Sequence, residues 1–136
     1  MKSEDPVGRL LRSRGCPDRV IAAGLEGLVA AWEQFASAIG RGYGLGLHDY
    51  LNDLDGRQLI EEVLAVVPAG ISPELHERLH HADARFQRHT IHTKRCLWGP
   101  RLEAQQVWTP EGNWWYYRRP EHPGPDLAGD LGIRER

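Results

Sequence analysis

Residues 20–40 read VIAAGLEGLVAAWEQFASAIG, and this stretch has the clearest periodic pattern in the chain. Its large apolar side chains recur every three or four residues, which places them on one face of an α-helix. They are Ile21, Leu25, Leu28, Trp32, Phe35 and Ile39. Gly24 and Gly27 each cost about 1 kcal/mol of helix propensity, whereas each large side chain that becomes buried contributes roughly 1.5–3 kcal/mol before entropy is subtracted. We therefore predict a helix over 20–39 that passes through both glycines and forms the core.

The composition places this core in a small protein without a strongly charged surface. The chain has 136 residues, and its 17 basic and 19 acidic side chains give a formal charge of −2. This balance argues against a dedicated nucleic-acid or membrane-surface binder, and no apolar run has the length of a signal peptide or a membrane span. The prediction is a cytoplasmic protein that does not bind membranes. Cys16 and Cys96 lack metal-type spacing, so we expect two free thiols.

The segment after the core helix is predicted to be a glycine connector followed by two acidic helices. The glycines of GRGYGLG (40–46) follow a helix rather than a strand, which favours a connector over a phosphate-binding loop. Within 47–67 the apolar positions change phase at Asp55 and Gly56. We therefore predict that one helix ends there and that Asp55 caps a second helix, with Gln58 completing the capping box.

A possible metal site lies on the next predicted helix, which runs over about 73–92. His76, Glu77 and His80 match the pattern H-E-x-x-H. Histidines four residues apart share a helix face and can bind zinc, while the glutamate can act as a base for zinc-bound water. The segment resembles the zincin peptidases in these three residues only. Asp83 follows at ligand spacing, so one hypothesis is a metal site of His76, His80 and Asp83.

The other hypothesis for this helix is a solvated edge beside a buried apolar stripe. The stripe consists of Leu75, Leu79, Ala82 and Phe86. Basic residues, among them Arg78, Arg85 and Arg88, follow on the remaining flank and could contact the phosphates of a nucleic acid. The acidic segment 47–67 offers matching carboxylates in the same chain. We therefore expect internal or dimer-related pairing of these arginines, and nucleic acid is not an expected partner.

Beyond this helix the pattern predicts an antiparallel hairpin rich in aromatic residues. Residues 102–108 and 113–119 are interpreted as strands joined by a loop at 109–112. Alternation along the strands would direct Trp114, Tyr116 and Arg118 to the outer face. Those residue types dominate interface hot spots, so the three form the predicted partner-binding surface. The alternative is that the first helix or the C-terminal tail covers this face.

These patterns predict an α+β fold. Its helical N-terminal two-thirds would hold four to five helices up to about residue 93, and an antiparallel β-hairpin or three-stranded meander at about 95–119 would pack on them. Residues 1–119 would form one globular domain, followed by an extended or loosely ordered tail at 120–136.

The preferred function is a small non-enzymatic protein-interaction module, with a protein partner or a second copy of the chain as ligand. Its predicted binding residues are Trp114, Tyr116 and Arg118. The alternative is a zinc-dependent hydrolase, in which His76 and His80 hold the metal and Glu77 is the base. Under the preferred function we expect no cofactor, and zinc is the one cofactor that the alternative requires.

Overall fold

The described part of the chain comprises residues 5–67 and 70–133 of a computed structural model. Its helices are α1 (Pro6–Ser13), α2 (Asp18–Arg41), α3 (Leu47–Val66), α4 (Pro73–Arg88), α5 (Pro100–Gln106) and α6 (Pro125–Leu131). Two short strands, β1 (Thr90–His92) and β2 (Arg118–Pro120), pair antiparallel, and a 3-10 turn at Trp114–Tyr117 precedes β2. The predicted α+β class is confirmed. No helix among the described residues is long and apolar enough to cross a bilayer.

Helix α2 lies at the centre of the fold, and its predicted apolar face is buried along the C-terminal two-thirds of the helix. The buried members are Leu28, Val29, Trp32, Phe35, Ala36 and Ile39. The helix is kinked at Gly24, where φ is 62° and ψ is −150°, a conformation that glycine adopts without steric cost. At Gly27 a Cβ would lie 2.4 Å from the Cβ of Ala23, which is too close for any larger residue. The kink at Gly24 is the feature that the sequence pattern did not predict. The prediction of a helix that simply passes through both glycines is therefore wrong at Gly24.

Helix α3 is one continuous helix, so the predicted break at Asp55 and Gly56 is wrong. The reason is Arg57, which is only 5% exposed and occupies a position in the buried stripe. When Arg57 counts as a buried residue, Leu54, Arg57 and Ile60 follow one another at helical spacing and the apparent change of phase disappears. Asp55 is consequently not a helix cap but a residue in the middle of α3.

Helix α4 packs on α2 through an aromatic cluster and ends earlier than predicted. The ring of Phe86 lies 4.9 Å from that of Trp32 and 5.7 Å from that of Phe35, measured between centroids. The helix stops at Arg88, and the β-branched residues Thr90 and Ile91 continue as strand β1.

The C-terminal sheet differs from the predicted hairpin in its strands. Residues 100–106 form helix α5, which begins with Pro100 at its first position, where proline is favoured. The 3-10 turn and β2 occupy the predicted second strand, and β2 pairs with β1, so that Ile91 lies opposite Arg119. The predicted turn at 109–112 is present, because Asn113 N donates to Thr109 O over 2.8 Å. The pairing of 102–108 with 113–119 is wrong.

The predicted loose tail contains helix α6, which packs against α3. Leu127 is fully buried, and the carboxylate of Asp130 accepts a hydrogen bond from Leu47 N over 2.9 Å. Asp130 therefore caps the N-terminus of α3 from another part of the chain. Residues 1–4, 68–69 and 134–136 lie outside the described residues.

Candidate binding groove

An open groove of about 840 Å³ lies between α3 and the segment 98–116, and we call it the tryptophan groove. Its apolar lining residues are Leu59, Trp98, Leu102, Val107, Trp108 and Tyr116. Its polar lining residues are Arg14, Asp55, Gln58, Glu62, Gln106 and Asn113. An apolar concave surface with a few fixed polar groups is the usual composition of a ligand-binding site.

Asp55 connects the two walls of the tryptophan groove. Its Oδ1 atom accepts hydrogen bonds from Trp98 Nε1 over 3.0 Å and from the Tyr116 hydroxyl over 2.6 Å. Burial raises the pKa of the Asp55 carboxyl, and the charge of Glu62 raises it further, whereas the bonds from Tyr116 and Trp98 oppose the shift. Burial, together with the bond to Asp55, also raises the pKa of Tyr116, which remains a hydrogen-bond donor at neutral pH.

Trp108 is held on the same wall by stacking and by the turn that follows it. Its ring stacks on that of Tyr116, with centroids 4.2 Å apart and planes inclined by 27°. The turn is closed by Thr109 N, which donates to Asn113 Oδ1 over 3.1 Å. Asn113 Nδ2 in turn donates to Gln58 Oε1 on α3 over 2.9 Å. The position of Trp108 is thus set by the fold before any ligand arrives.

Arg14 and Glu62 form an ion pair at one end of the tryptophan groove. Arg14 Nε donates to Glu62 Oε1 over 2.7 Å, and Arg14 Nη2 contacts the same oxygen. The side chain of Arg14 is 52% exposed, so the pair is a surface feature that contributes little to stability. Its consequence for the groove is that the positive charge of Arg14 is already matched.

Val107 forms a strained and exposed rim of the groove. It is the one non-glycine residue with positive φ among the described residues, at φ 58° and ψ 39°, and it is 79% exposed. A β-branched side chain in this left-handed conformation carries steric strain. The strain lies where α5 ends, because Val107 is the C-cap of that helix and its N–H bonds to Ala104 O.

We expect Val107→Gly to increase the free energy of unfolding by about 1 kcal/mol, because glycine relieves the strain and little buried area is lost. Urea denaturation monitored by circular dichroism measures this difference. Ile91→Gly, at an exposed strand position of ordinary conformation, is the control and should destabilise the protein. Equal destabilisation by both variants would show that Val107 is not strained.

We expect Asp55→Asn to leave the fold intact and to raise the melting temperature at pH 7 by about 1–4 °C. A carboxyl whose pKa is raised by folding stabilises the protein below its unfolded pKa, and this contribution is lost as the pH rises through the folded pKa. Asparagine keeps an Oδ1 acceptor for Trp98 and Tyr116 but does not ionise. Melting curves between pH 4 and pH 8 check the prediction, and a lower melting temperature for the variant at pH 7 would contradict it.

The structure does not bring Trp114, Tyr116 and Arg118 together on one exposed face. Tyr116 is 1% exposed, because α3 and Trp108 cover it. The half-buried ring of Trp114 faces Phe86 at 6.1 Å. Arg118 donates from Nε to Thr90 Oγ1 over 2.8 Å and so joins β2 to β1. The cover of Tyr116 therefore comes from the chain itself.

The possible metal ligands do not converge either. His76 and His80 are exposed on α4. Asp83 instead accepts bonds from Arg57 Nε at 2.9 Å, Arg57 Nη2 at 3.0 Å and Trp32 Nε1 at 2.8 Å. Within 5–67 and 70–133, no group of three or more His, Cys, Asp or Glu side chains could hold a metal ion.

Glu77 and the flanking arginines also lie at the surface of α4. Glu77 is exposed, 4.0 Å from the imidazole of His81. Arg78 pairs with Glu33 on α2 at 2.6 Å and also contacts Glu26. The internal pairing that we expected for Arg78 is therefore present, but with α2 rather than with the acidic segment 47–67.

Comparisons with known proteins add no relative: no family model matches the chain, and searches of the curated proteins and of the solved structures returned no match. The sequence-based interpretation missed Asp55, Trp98 and Trp108 as residues of a site. The signal that was available is local, namely a tryptophan before Gly99 and Pro100 and another before the 109–112 turn. Their contact with α3 arises only in the folded chain.

Proposed function

We propose that this chain is a non-enzymatic protein-interaction module and that a short segment of its partner occupies the tryptophan groove. One observation carries the proposal: two half-buried tryptophans, Trp98 and Trp108, line an open concave surface beside Asp55. Tryptophan and tyrosine dominate interface energetics, because they bury a large area and lose little side-chain entropy.

The rigidity of the groove supports binding. Asp55 fixes the indole of Trp98, and Tyr116 fixes the ring of Trp108, so a partner would not have to order these side chains. A preorganised surface binds more tightly than a flexible one of the same area. Its volume of about 840 Å³ suits a few side chains of an extended segment.

The roles of the two carboxylates also favour binding over catalysis. Asp55 holds Trp98 and Tyr116 through one oxygen, and Glu62 is paired with Arg14. These contacts position the rings and the end of the groove rather than activate a nucleophile.

A random peptide display library offered to the immobilised protein tests the proposal. We expect selection of peptides whose binding to Trp108→Ala is weaker by about 30-fold or more, the loss expected for a hot-spot residue. Leu45→Ala removes an exposed apolar side chain outside the groove lining and is the matched control. It should bind the same peptides as the unmodified protein.

Two further measurements keep this test decisive. Circular dichroism and melting curves establish that Trp108→Ala is folded, and Val107→Gly provides a second groove variant that we expect to be more stable than the unmodified protein. The proposal would be overturned if the selected peptides bound Trp108→Ala and Val107→Gly as tightly as the control Leu45→Ala. Light scattering on the purified protein and on Trp108→Ala shows whether the chain associates with itself through the groove.

A further inference from the structure

We infer that the tryptophan groove receives an arginine side chain of the partner. This inference rests on the proposed function and specifies the chemistry of the occupant. It follows from the charge of the groove lining, from an open acceptor atom on Asp55 and from the types of the other lining side chains.

The groove lining carries one uncompensated negative charge. Arg14 is the cation of the lining, and Glu62 neutralises it through contacts to both Nε and Nη2. Asp55 forms no ion pair with any described residue, and the charge that acts on it most clearly is the like charge of Glu62. A half-buried carboxylate without a counter-ion favours a cationic ligand, because the cation restores the interaction that burial removed.

Asp55 also has an acceptor to offer. Both of its hydrogen bonds end on Oδ1, one from Trp98 and one from Tyr116. Its Oδ2 accepts none from the described residues. The two bonds to Oδ1 already fix the carboxylate in position. A donor could therefore bind Oδ2 without any rearrangement of the protein.

The remaining lining favours a guanidinium over an ammonium group. A guanidinium is planar, stacks on indole rings and has five N–H donors, whereas an ammonium is a compact, strongly hydrated point charge. The groove supplies two tryptophans and the side-chain amide oxygen of Gln106. Leu59 and Leu102 offer apolar contact to the methylene groups of the arginine stem.

Three capped tripeptides test the inference: acetyl-Leu-Arg-Leu-amide, its lysine analogue and its citrulline analogue, which keeps the shape of arginine without the charge. The indole N–H signals of Trp98 and Trp108 are followed by nuclear magnetic resonance during each titration. We expect the arginine peptide to shift both signals saturably and to bind at least about 10-fold more tightly than the citrulline peptide, as a charge-assisted contact requires. The lysine peptide should bind more weakly than the arginine peptide.

Asp55→Asn isolates the contribution of the carboxylate. We expect this variant to lose about 10-fold or more in affinity for the arginine peptide and to bind it no more tightly than the citrulline peptide. Asp49→Asn removes an exposed carboxyl on the same helix, outside the groove lining, and should behave like the unmodified protein. If Asp49→Asn lost as much affinity for the arginine peptide as Asp55→Asn does, the attraction would be a general electrostatic one and the inference would be overturned.

The outcomes separate the inference from the proposed function. The arginine inference is overturned if the arginine peptide binds no more tightly than the citrulline peptide or the lysine peptide. It is also overturned if the selected Trp108-dependent display peptides lack arginine, but in that case the proposed function stands. Failure of the display selection to yield any Trp108-dependent peptide overturns both.

Discussion

Asp83→Ala is expected to lower the free energy of unfolding by about 3–5 kcal/mol, because it leaves the buried guanidinium of Arg57 with only the exposed carboxylate of Glu61 as counter-ion. The side chain of Arg57 is 6% exposed and that of Asp83 is 18% exposed. Two parallel hydrogen bonds, at 2.9 and 3.0 Å, join them. Bidentate pairs of this kind are the strongest ion pairs in proteins.

The surroundings of Arg57 make the loss hard to compensate. Its Cζ atom lies 4.7 Å from the ring centroid of Trp115 and 5.6 Å from that of Trp114, so rings flank the guanidinium where water would otherwise reach it. Trp32 Nε1 donates to the same carboxylate over 2.8 Å and would also lose its acceptor. A buried donor without a partner costs about 1–3 kcal/mol.

Urea denaturation of the variant at neutral pH measures the effect, and Glu61→Ala is the matched control. Glu61 also bonds to Arg57, at 2.9 Å, but its side chain is 49% exposed. Its removal should cost at most about 1 kcal/mol, as for an exposed ion pair. Similar losses for the two variants would mean that Arg57 is solvated and that the Asp83 contact is not special.

Arg57 also shows why part of the fold could not be predicted from the sequence. Apolar periodicity predicts α2 because burial and helix geometry act on the same local pattern. In α3 a charged residue occupies a position of the buried stripe, and its partner Asp83 is 26 residues away. Polarity alone therefore indicates a break in the helix where there is none.

The prediction for the C-terminal region was wrong for a different reason. Trp114, Trp115, Tyr116 and Tyr117 have high strand propensity, but strand propensity depends strongly on tertiary context. In this chain the four residues turn tightly, so that Tyr116 and Tyr117 reach acceptors on Asp55 and Glu103. Pro100 was a local signal for helix α5 that the strand interpretation overlooked.

The tryptophan groove lies furthest from what the sequence alone could predict. Its central contacts join Asp55 to Trp98 across 43 residues and to Tyr116 across 61 residues. Aromatic content around 98–116 indicated a contact surface in general terms. Which rings are exposed depends on where α3 lies, and local propensities do not specify that position.

Phe86→Ala is the second large effect that we expect, a loss of about 3–5 kcal/mol in the free energy of unfolding. Phe86 is fully buried, and its ring is surrounded by those of Trp32, Phe35 and Trp114 at centroid distances of 4.9, 5.7 and 6.1 Å. Alanine would leave a cavity where α2, α4 and the 3-10 turn meet. Phe86→Leu fills most of that volume and should cost less.

The control for Phe86 lies on the same helix. His80→Ala replaces an exposed side chain with the best helix former, so the free energy of unfolding should change by no more than about 0.5 kcal/mol. His80→Ala also distinguishes the two hypotheses for α4, namely a metal site that includes His76 and His80 and a solvated helix edge. If His76 and His80 held a metal that stabilised α4, His80→Ala would lower stability in buffer with zinc, and a chelator would reproduce that loss in the unmodified protein. If the helix edge is simply solvated, neither zinc nor chelator changes the stability of His80→Ala or of the unmodified protein. Only Phe86→Ala then unfolds at a markedly lower urea concentration.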